Sequence, residues 1–264
     1  PDPEPDLGAQ RAYVQSVKDA CKTLRVALVG KYTAVPDACL SVTEALRHAA
    51  AQNGARPEIS LVDAGQITPE TACGLLGGYD AIVVPGGYGD RGVDGMIAAA
   101  RYARESATPF LAIGFGMQLA VVEAARNLLG IADAHTAEAD PHTAHPVVRI
   151  PQDRVCQNDS RGATRMGGSG VRLMQGTLRE LYGAEVVRER HANRYEVDPA
   201  YVPALEQKGF RLAGVSVEAG YPEAFVLEGH PFYAAVVYHP EYISRPGKAH
   251  PLFSHLVRSG LERK

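Results

Sequence analysis

The sequence predicts an α/β fold with a mostly parallel, doubly wound sheet flanked by helices. Short aliphatic runs of the kind that form buried parallel strands alternate with longer segments whose apolar residues recur at helical spacing. Such alternation is typical of a parallel sheet with helices on both faces. The predicted elements are a helix over 7–23, strand 26–30, helix 37–53, strand 59–62, strand 81–85, helix 93–105, strand 110–113 and a helix that ends at about residue 129.

The composition changes after Gly130. Residues 131–170 are rich in His, Asp, Pro and Gly, so we expect long loops there. A smaller and more antiparallel region is predicted beyond them, with strands at 185–190, 195–197, 212–217, 224–227 and 234–238. We expect an N-terminal tail and helix over 1–23 and one domain over 24–264. The first six residues look like a disordered tail or a cut linker.

Composition and charge exclude several classes of protein. The chain has 264 residues, a net charge of -3 and 45% hydrophobic residues, which gives no reason to expect a nucleic acid or an anionic membrane as partner. No apolar run reaches transmembrane length, and the N-terminus has no signal-peptide character. The cysteines form no Cys-x-x-Cys pair, which favours reduced thiols and a cytoplasmic location. They are Cys21, Cys39, Cys73 and Cys156.

Residues 109–120 resemble a nucleophile elbow, in which a strand, a sharp turn and a helix follow one another. In such an elbow the strained turn presents a Ser or Cys to a pocket beside the N–H groups of the helix start. Gly114 stands at the central position, where the nucleophile is expected. Either this turn is not part of an active site, or it belongs to a site whose usual chemistry has been removed.

Two further motifs follow predicted strands. Residues 87–92 match GxGxxG, but they follow a later strand and no suitable acidic residue stands downstream, so a Gly-rich turn facing a pocket is favoured over a dinucleotide site. His239 and Glu241 follow an apolar strand, and a carboxylate two residues away can orient an imidazole for base catalysis. The pair is weak evidence alone, but strong beside an elbow and a Gly-Gly turn.

Other chemically active residues have simpler explanations. His135, His142 and His145 share one segment, but their irregular spacing favours a solvated polar loop over a metal site. Cys39, near a helix start, could replace the missing nucleophile, although a buried packing role is the default. We predict no metal and no cofactor.

In this order, the motifs resemble those of the class I glutamine amidotransferase family, and specifically the glutaminase domain of the CTP synthases. The resemblance covers about residues 26–253 and implies a flavodoxin-like architecture. The stretches that carry it are 29–32, 37–42, 85–92, 101–105, 116–120, 190–197, 239–242, 244–246 and 250–253.

The resemblance implies a role for each matching residue. Gly114 stands where the family has its catalytic Cys, and His239 and Glu241 match its catalytic partners. The residues matching the oxyanion hole are Gly86, Gly87 and Phe115. The residues matching the substrate-binding groups are Gln118, Glu138, Arg194 and Tyr195.

The chain departs from the family pattern in several places. Besides Gly114, Ala112 and Phe115 stand where the family usually has Gly and Leu. The segment 166–173 varies a loop that lies near the glutamine site in the family. A synthetase domain is missing from the sequence, so we expect this chain by itself to be unable to make CTP.

Three hypotheses about function follow. The first is a standalone homologue that is inactive as a glutaminase and binds glutamine or another amide as a binding or regulatory protein, with a protein partner or a second copy. The second is a hydrolase or lyase that uses His239, Glu241 and the oxyanion hole on a different substrate. The third, an engineered Cys-to-Gly change, is disfavoured by the additional changes at Ala112 and Phe115.

Overall fold

A nine-stranded sheet forms the centre of the molecule in a computed structural model, which describes residues 6–154 and 164–263. Numbered along the chain, its strands in order across the sheet are β2 (Ala55–Asp63), β1 (Lys22–Gly30), β3 (Ala81–Val84), β4 (Phe110–Ile113), β12 (Tyr233–Val236), β11 (Pro222–Leu227), β10 (Phe210–Ser216), β7 (Arg165–Leu173) and β8 (Val186–Asn193). The strands from β2 to β12 in this order are parallel, and the pairings beyond β12 are antiparallel. The predicted α/β class with a doubly wound sheet is confirmed.

The remaining elements have the following bounds. A small second sheet contains β5 (Ala134–Thr136), β6 (His145–Arg149) and β9 (Glu196–Val197). The helices are α1 (Gly8–Asp19), α2 (Leu40–Gln52), α3 (Ala72–Leu76), α4 (Val93–Glu105), α5 (Phe115–Asn127), α6 (Thr177–Tyr182), α7 (Val202–Gln207) and α8 (Pro251–Glu262).

Helices cover both faces of the parallel strands, which explains their continuous apolar sequences. In β4, Leu111 and Ile113 belong to the cluster that includes residues of α2 and α8, whereas Phe110 and Ala112 belong to the cluster with α4 and α5. This alternation is the period-2 geometry of a strand. Within the described residues, no helix has the length and apolar character needed to cross a membrane.

Several predicted boundaries in the first half are wrong. The first helix ends at Asp19 instead of running to residue 23, because β1 already begins at Lys22. Apolar periodicity also misses the ends of β1 and β2, which alternate exposed and buried residues at the edge of the core. The helix expected over 37–53 begins at Leu40, after a 3-10 turn. The predicted disorder of residues 1–5 lies outside the described residues.

In the second half, the five strands predicted after residue 185 are found as β8 to β12, but the long loops expected over 131–170 are wrong in part. Residues 131–170 contain β5, β6 and the start of β7, and the segment 166–173 lies in strand β7 instead of a loop. The antiparallel strands extend the same sheet, because the late strand β12 inserts between β4 and β11. Short strands interrupted by Gly and polar residues carry too weak a pattern to reveal such long-range pairing.

Candidate active site

A pocket of about 620 Å³ opens above the carboxyl ends of the parallel strands. Ligand sites of open α/β sheets gather at this edge. All ten residues that the family resemblance singled out line this one pocket, although they come from distant parts of the chain. They are Gly86, Gly87, Gly114, Phe115, Gln118, Glu138, Arg194, Tyr195, His239 and Glu241.

Gly114 forms the sharp turn between β4 and α5, with φ of 57° and ψ of -115°. This backbone conformation strains any residue with a side chain. Its N–H donates to the carbonyl of Val236 at 2.8 Å, which anchors the turn to β12. Gly116 is required for a different reason, since a Cβ there would lie 2.2 Å from the Val84 carbonyl oxygen. The start of α5 is thus held directly against β3.

The imidazole of His239 faces Gly114. A Cβ on Gly114 would lie 3.0 Å from Cε1 and 3.2 Å from Nε2 of this ring. On its other side, Nδ1 lies 2.8 Å from Oε1 of Glu241. A carboxylate accepts hydrogen bonds, so Nδ1 donates its proton and Nε2 is left as the basic nitrogen directed at the turn. Tyr242 stacks on the ring with a centroid distance of 5.2 Å, which restricts the ring further.

Backbone from two other segments lies close to the same point. Phe115 is the first residue of α5, so its N–H has no acceptor within the helix. Gly86 and Gly87 form the turn after β3, and Gly86 Cα lies 3.6 Å from the position of a Cβ on Gly114. The pocket therefore has the start of a helix, with the positive end of its dipole, beside the imidazole.

Another part of the pocket lining is polar and charged. Gln118 donates to Oε2 of Glu138 at 2.8 Å and accepts from Thr136 Oγ1 at 2.7 Å, so its amide is held in one orientation. Burial raises the pKa of Glu138, while Gln118, Lys31 and Arg194 act in the opposite direction. A carboxylate and a guanidinium facing one pocket suit a ligand that carries both an ammonium and a carboxylate group.

Several further residues of this pocket are not distinguished by any sequence pattern of their own, including Tyr32, Tyr88, Asn193 and Tyr242. Lys31 was part of a matching motif but received no role. The available signal was position, since Lys31 follows the carboxyl end of β1, where the pocket opens.

The alternative candidates lie in different surroundings. His135 is in strand β5 instead of a loop, and its Nδ1 accepts the N–H of Thr136 at 2.9 Å. Burial, and secondarily Glu241, raises the pKa of the Cys39 thiol. Because the thiolate is the nucleophilic form, this shift disfavours Cys39 as a replacement nucleophile. Cys156 lies outside the described residues.

Comparison with known proteins agrees with the geometry of the pocket. The family model for class I glutamine amidotransferases matches residues 34–259, which is most of the chain. The chain belongs to this family. The parallel sheet, the elbow and the pocket above them are therefore those of an amidotransferase domain.

Several curated CTP synthases are similar to this chain. The enzyme of Synechococcus sp. strain RCC307 is 45% identical over 263 residues, which covers 99% of this chain and 48% of that protein. The enzyme of Geobacillus kaustophilus is 43% identical over 98% of this chain and 49% of that protein. The chain spans about half the length of the curated relatives that it matches.

Solved structures support the same assignment. The glutaminase domain of Trypanosoma brucei CTPS, with bound acivicin, has a TM-score of 0.85 and 33% sequence identity, covering 90% of this chain and 94% of that one. A putative GMP synthase component from Thermoplasma acidophilum has a TM-score of 0.56 and 17% identity over 91% and 95% of the two chains. The second similarity concerns the fold alone. The chain is thus a CTP-synthase-like glutamine amidotransferase domain.

Proposed function

We propose that this domain binds glutamine or a related amide but does not hydrolyse it, and that it acts as a binding or regulatory protein. The observation that carries the proposal is Gly114 at the elbow, where the family resemblance places a catalytic Cys. Glycine cannot form the thioester through which the family cleaves the amide. Loss of a catalytic nucleophile typically lowers the rate by about 10⁴ to 10⁶.

The remaining pocket supports retention of binding. Glu138 and Arg194 both line the pocket, where Glu138 would accept the ligand's ammonium group and Arg194 would pair with its carboxylate. The N–H groups of Gly87 and Phe115 would then donate hydrogen bonds to the carbonyl oxygen of the ligand's side chain. These contacts do not depend on a thiol, so substrate recognition survives the loss of catalysis in this proposal.

A calorimetric titration with L-glutamine, paired with an ammonia-release assay, tests the proposal. We expect saturable binding, and turnover well below about 1 s⁻¹, the lower end of typical enzyme rates. Arg194→Met should abolish binding, whereas Arg188→Met, in neighbouring strand β8, should preserve it. Turnover at ordinary enzyme rates would overturn the proposed inactivity, and the absence of binding by the folded parent would overturn glutamine as the ligand.

Restoring the thiol provides a second test. In a Gly114→Cys variant, the sulfur would lie next to His239, so a thiol-reactive glutamine analogue should label the variant but not the parent. A Gly114→Cys variant that also carries His239→Asn should label more slowly, because the general base is gone. A folded Gly114→Cys protein that is not labelled would contradict an intact glutamine site.

The second candidate function is enzymatic and rests on His239 and Glu241. Their 2.8 Å hydrogen bond leaves Nε2 directed into the pocket as a base for water or a substrate proton. In this case a hydrolysis or elimination product should form from some other carbonyl substrate, and Glu241→Gln should suppress it. A screen of esters, amides and β-substituted amino acids, with product detection by mass spectrometry, separates this candidate from pure binding.

A further inference from the structure

Lys31 is a buried lysine with an unusual set of neighbours. Its exposed fraction is 3%, and it follows strand β1 directly. Its Nζ donates to the carbonyl oxygens of Tyr88 at 2.9 Å and Gly89 at 2.6 Å. The same Nζ lies 4.4 Å from the centroid of the Phe115 ring, within the range of a cation–π contact.

These contacts connect two separate parts of the pocket. Tyr88 and Gly89 continue the turn that contains Gly87, and Phe115 begins α5. Gly87 and Phe115 provide the two N–H groups that the proposed function assigns to the ligand's carbonyl oxygen. The ammonium group of Lys31 therefore contacts the turn through the carbonyl oxygens of Tyr88 and Gly89. It contacts the start of α5 through the ring of Phe115.

The cation–π contact depends on a residue in which this chain departs from its family. The resemblance places Leu at position 115, and a Leu side chain has no π face to attract a cation. Glycine at position 114 also gives the elbow more conformational freedom than a residue with a Cβ. A fixed neighbour for Phe115 is consequently more important in this chain than in one that has a side chain at the elbow.

We propose that Lys31 is a positioning residue that sets the distance between the N–H groups of Gly87 and Phe115, and that it acts on Phe115 through the aromatic ring. The role of these two N–H groups toward the ligand rests on the proposed function, whereas the contacts of Lys31 do not depend on it. Lys31 reaches the ligand only through these two backbone donors.

Hydrogen exchange in the unliganded protein tests the positioning directly. Lys31→Met keeps an apolar stem of similar length but lacks the ammonium group. We expect exchange at least about 5-fold faster in the peptides covering 86–92 and 114–118, because both segments lose a shared anchor. Lys22→Met, an exposed lysine at the other end of β1, is the matched control and should leave both peptides unchanged. Unchanged exchange in a folded Lys31→Met protein would overturn the proposal.

A double-mutant cycle tests the role of the ring. Lys31→Met, Phe115→Leu and the double variant are compared in calorimetric affinity for L-glutamine. If Lys31 acts through the ring, the double variant should lose no more affinity than Lys31→Met alone, and Lys31→Arg should recover part of the loss because guanidinium also stacks on aromatic faces. Additive losses would overturn the role of Phe115. If the parent does not bind glutamine, the proposed function fails, and the exchange experiment still decides the role of Lys31.

Discussion

Gly114 satisfies a backbone requirement and a steric requirement at once. Its φ of 57° lies in a region that residues with a side chain rarely adopt. The imidazole of His239 also occupies space that a Cβ would need, at 3.0 Å from its nearest ring atom. Under the proposed function, Gly in place of a catalytic Cys at this position relieves strain that the catalytic residue would have to tolerate, in line with the usual conflict between stability and activity.

We expect Gly114→Ala to lower the free energy of unfolding by about 1–3 kcal/mol, because it adds both backbone strain and the contact with His239. Gly130→Ala is the matched control, since Gly130 has φ of 76° but nothing within 4 Å of an added Cβ. Urea denaturation of both variants should show the larger loss for Gly114→Ala. Equal losses would mean that the imidazole moves aside without cost.

At Glu138, we expect a side chain that favours ligand binding to lower the stability of the folded protein near neutral pH. Burial raises the pKa of its carboxyl, so the folded protein holds this proton more tightly than the unfolded chain. Stability is consequently lost as pH rises from the ordinary carboxyl pKa of about 4.3 through the folded value. Glu138→Gln removes this loss, so we expect the variant to be more stable than the parent near neutral pH but not at about pH 4.

Thermal denaturation across this pH range, together with glutamine titration, checks the prediction for Glu138. The variant should bind glutamine more weakly while gaining stability, because the same carboxylate is proposed to hold the ligand's ammonium group. Glu70→Gln is the control, since Glu70 is exposed and its hydrogen bond to Thr68 lowers the pKa of its carboxyl. A Glu138→Gln protein that is less stable than the parent at neutral pH would contradict the inference that the buried carboxylate destabilises the folded protein.

At the scale of elements, helix α5 is central because it carries the elbow at its N-terminus. A buried ion pair attaches it to α4: Arg104 donates to Glu123 from Nε at 3.0 Å and from Nη2 at 2.9 Å. Asn127 donates to the same carboxylate at 3.1 Å. Glu123 has an exposed side-chain fraction of only 1%, so its charge depends on these partners.

We expect Arg104→Met to lower the free energy of unfolding by about 3–5 kcal/mol, because it leaves the Glu123 carboxylate buried and unpaired. Adding Glu123→Gln to this variant should recover part of the loss. Arg101→Met, on the same helix, breaks a pair with Glu105 whose side chains are 44% and 48% exposed, and should cost about 0–1 kcal/mol. Similar losses of unfolding free energy for the two arginine variants in chemical denaturation would contradict the distinction between the buried and the exposed ion pair.

At the scale of the whole molecule, buried polar contacts join the antiparallel strands to one another and to helix α8. His191 of β8 lies 3.3 Å from Glu223 of β11, and Arg165 of β7 donates to the same carboxylate. Glu189 of β8 contacts His250, the N-cap of α8, at 3.0 Å. Residues of α8, of the parallel strands and of the antiparallel strands belong to one buried apolar cluster.

We therefore expect one cooperative unfolding transition. Pulsed hydrogen exchange during urea denaturation should give the same midpoint for peptides from β7 and β8 as for peptides from β1 and β2. The physical reason is that β12 pairs with β4 on one side and with β11 on the other. Well-separated midpoints would show that the antiparallel strands unfold on their own.

Local sequence was sufficient for much of this protein. The aliphatic runs that became β1, β3 and β4 are buried on both faces, and such strands have a pattern that local periodicity detects. The elbow at Gly114 and the His239–Glu241 pair were identified for a related reason. Each is contained in a few consecutive residues whose chemistry can be interpreted without knowing their neighbours.

Tertiary structure alone decided which distant segments meet. The place of β12 within the sheet, the extension of that sheet by β7 and β8, and the contact of Lys31 with Phe115 involve residues far apart in sequence. No local pattern encodes these pairings, because strand order and burial depend on how the whole chain packs. The sequence thus determined which groups the pocket contains, and the fold determined that His239 lies against Gly114 and that one buried ammonium joins the turn to the helix.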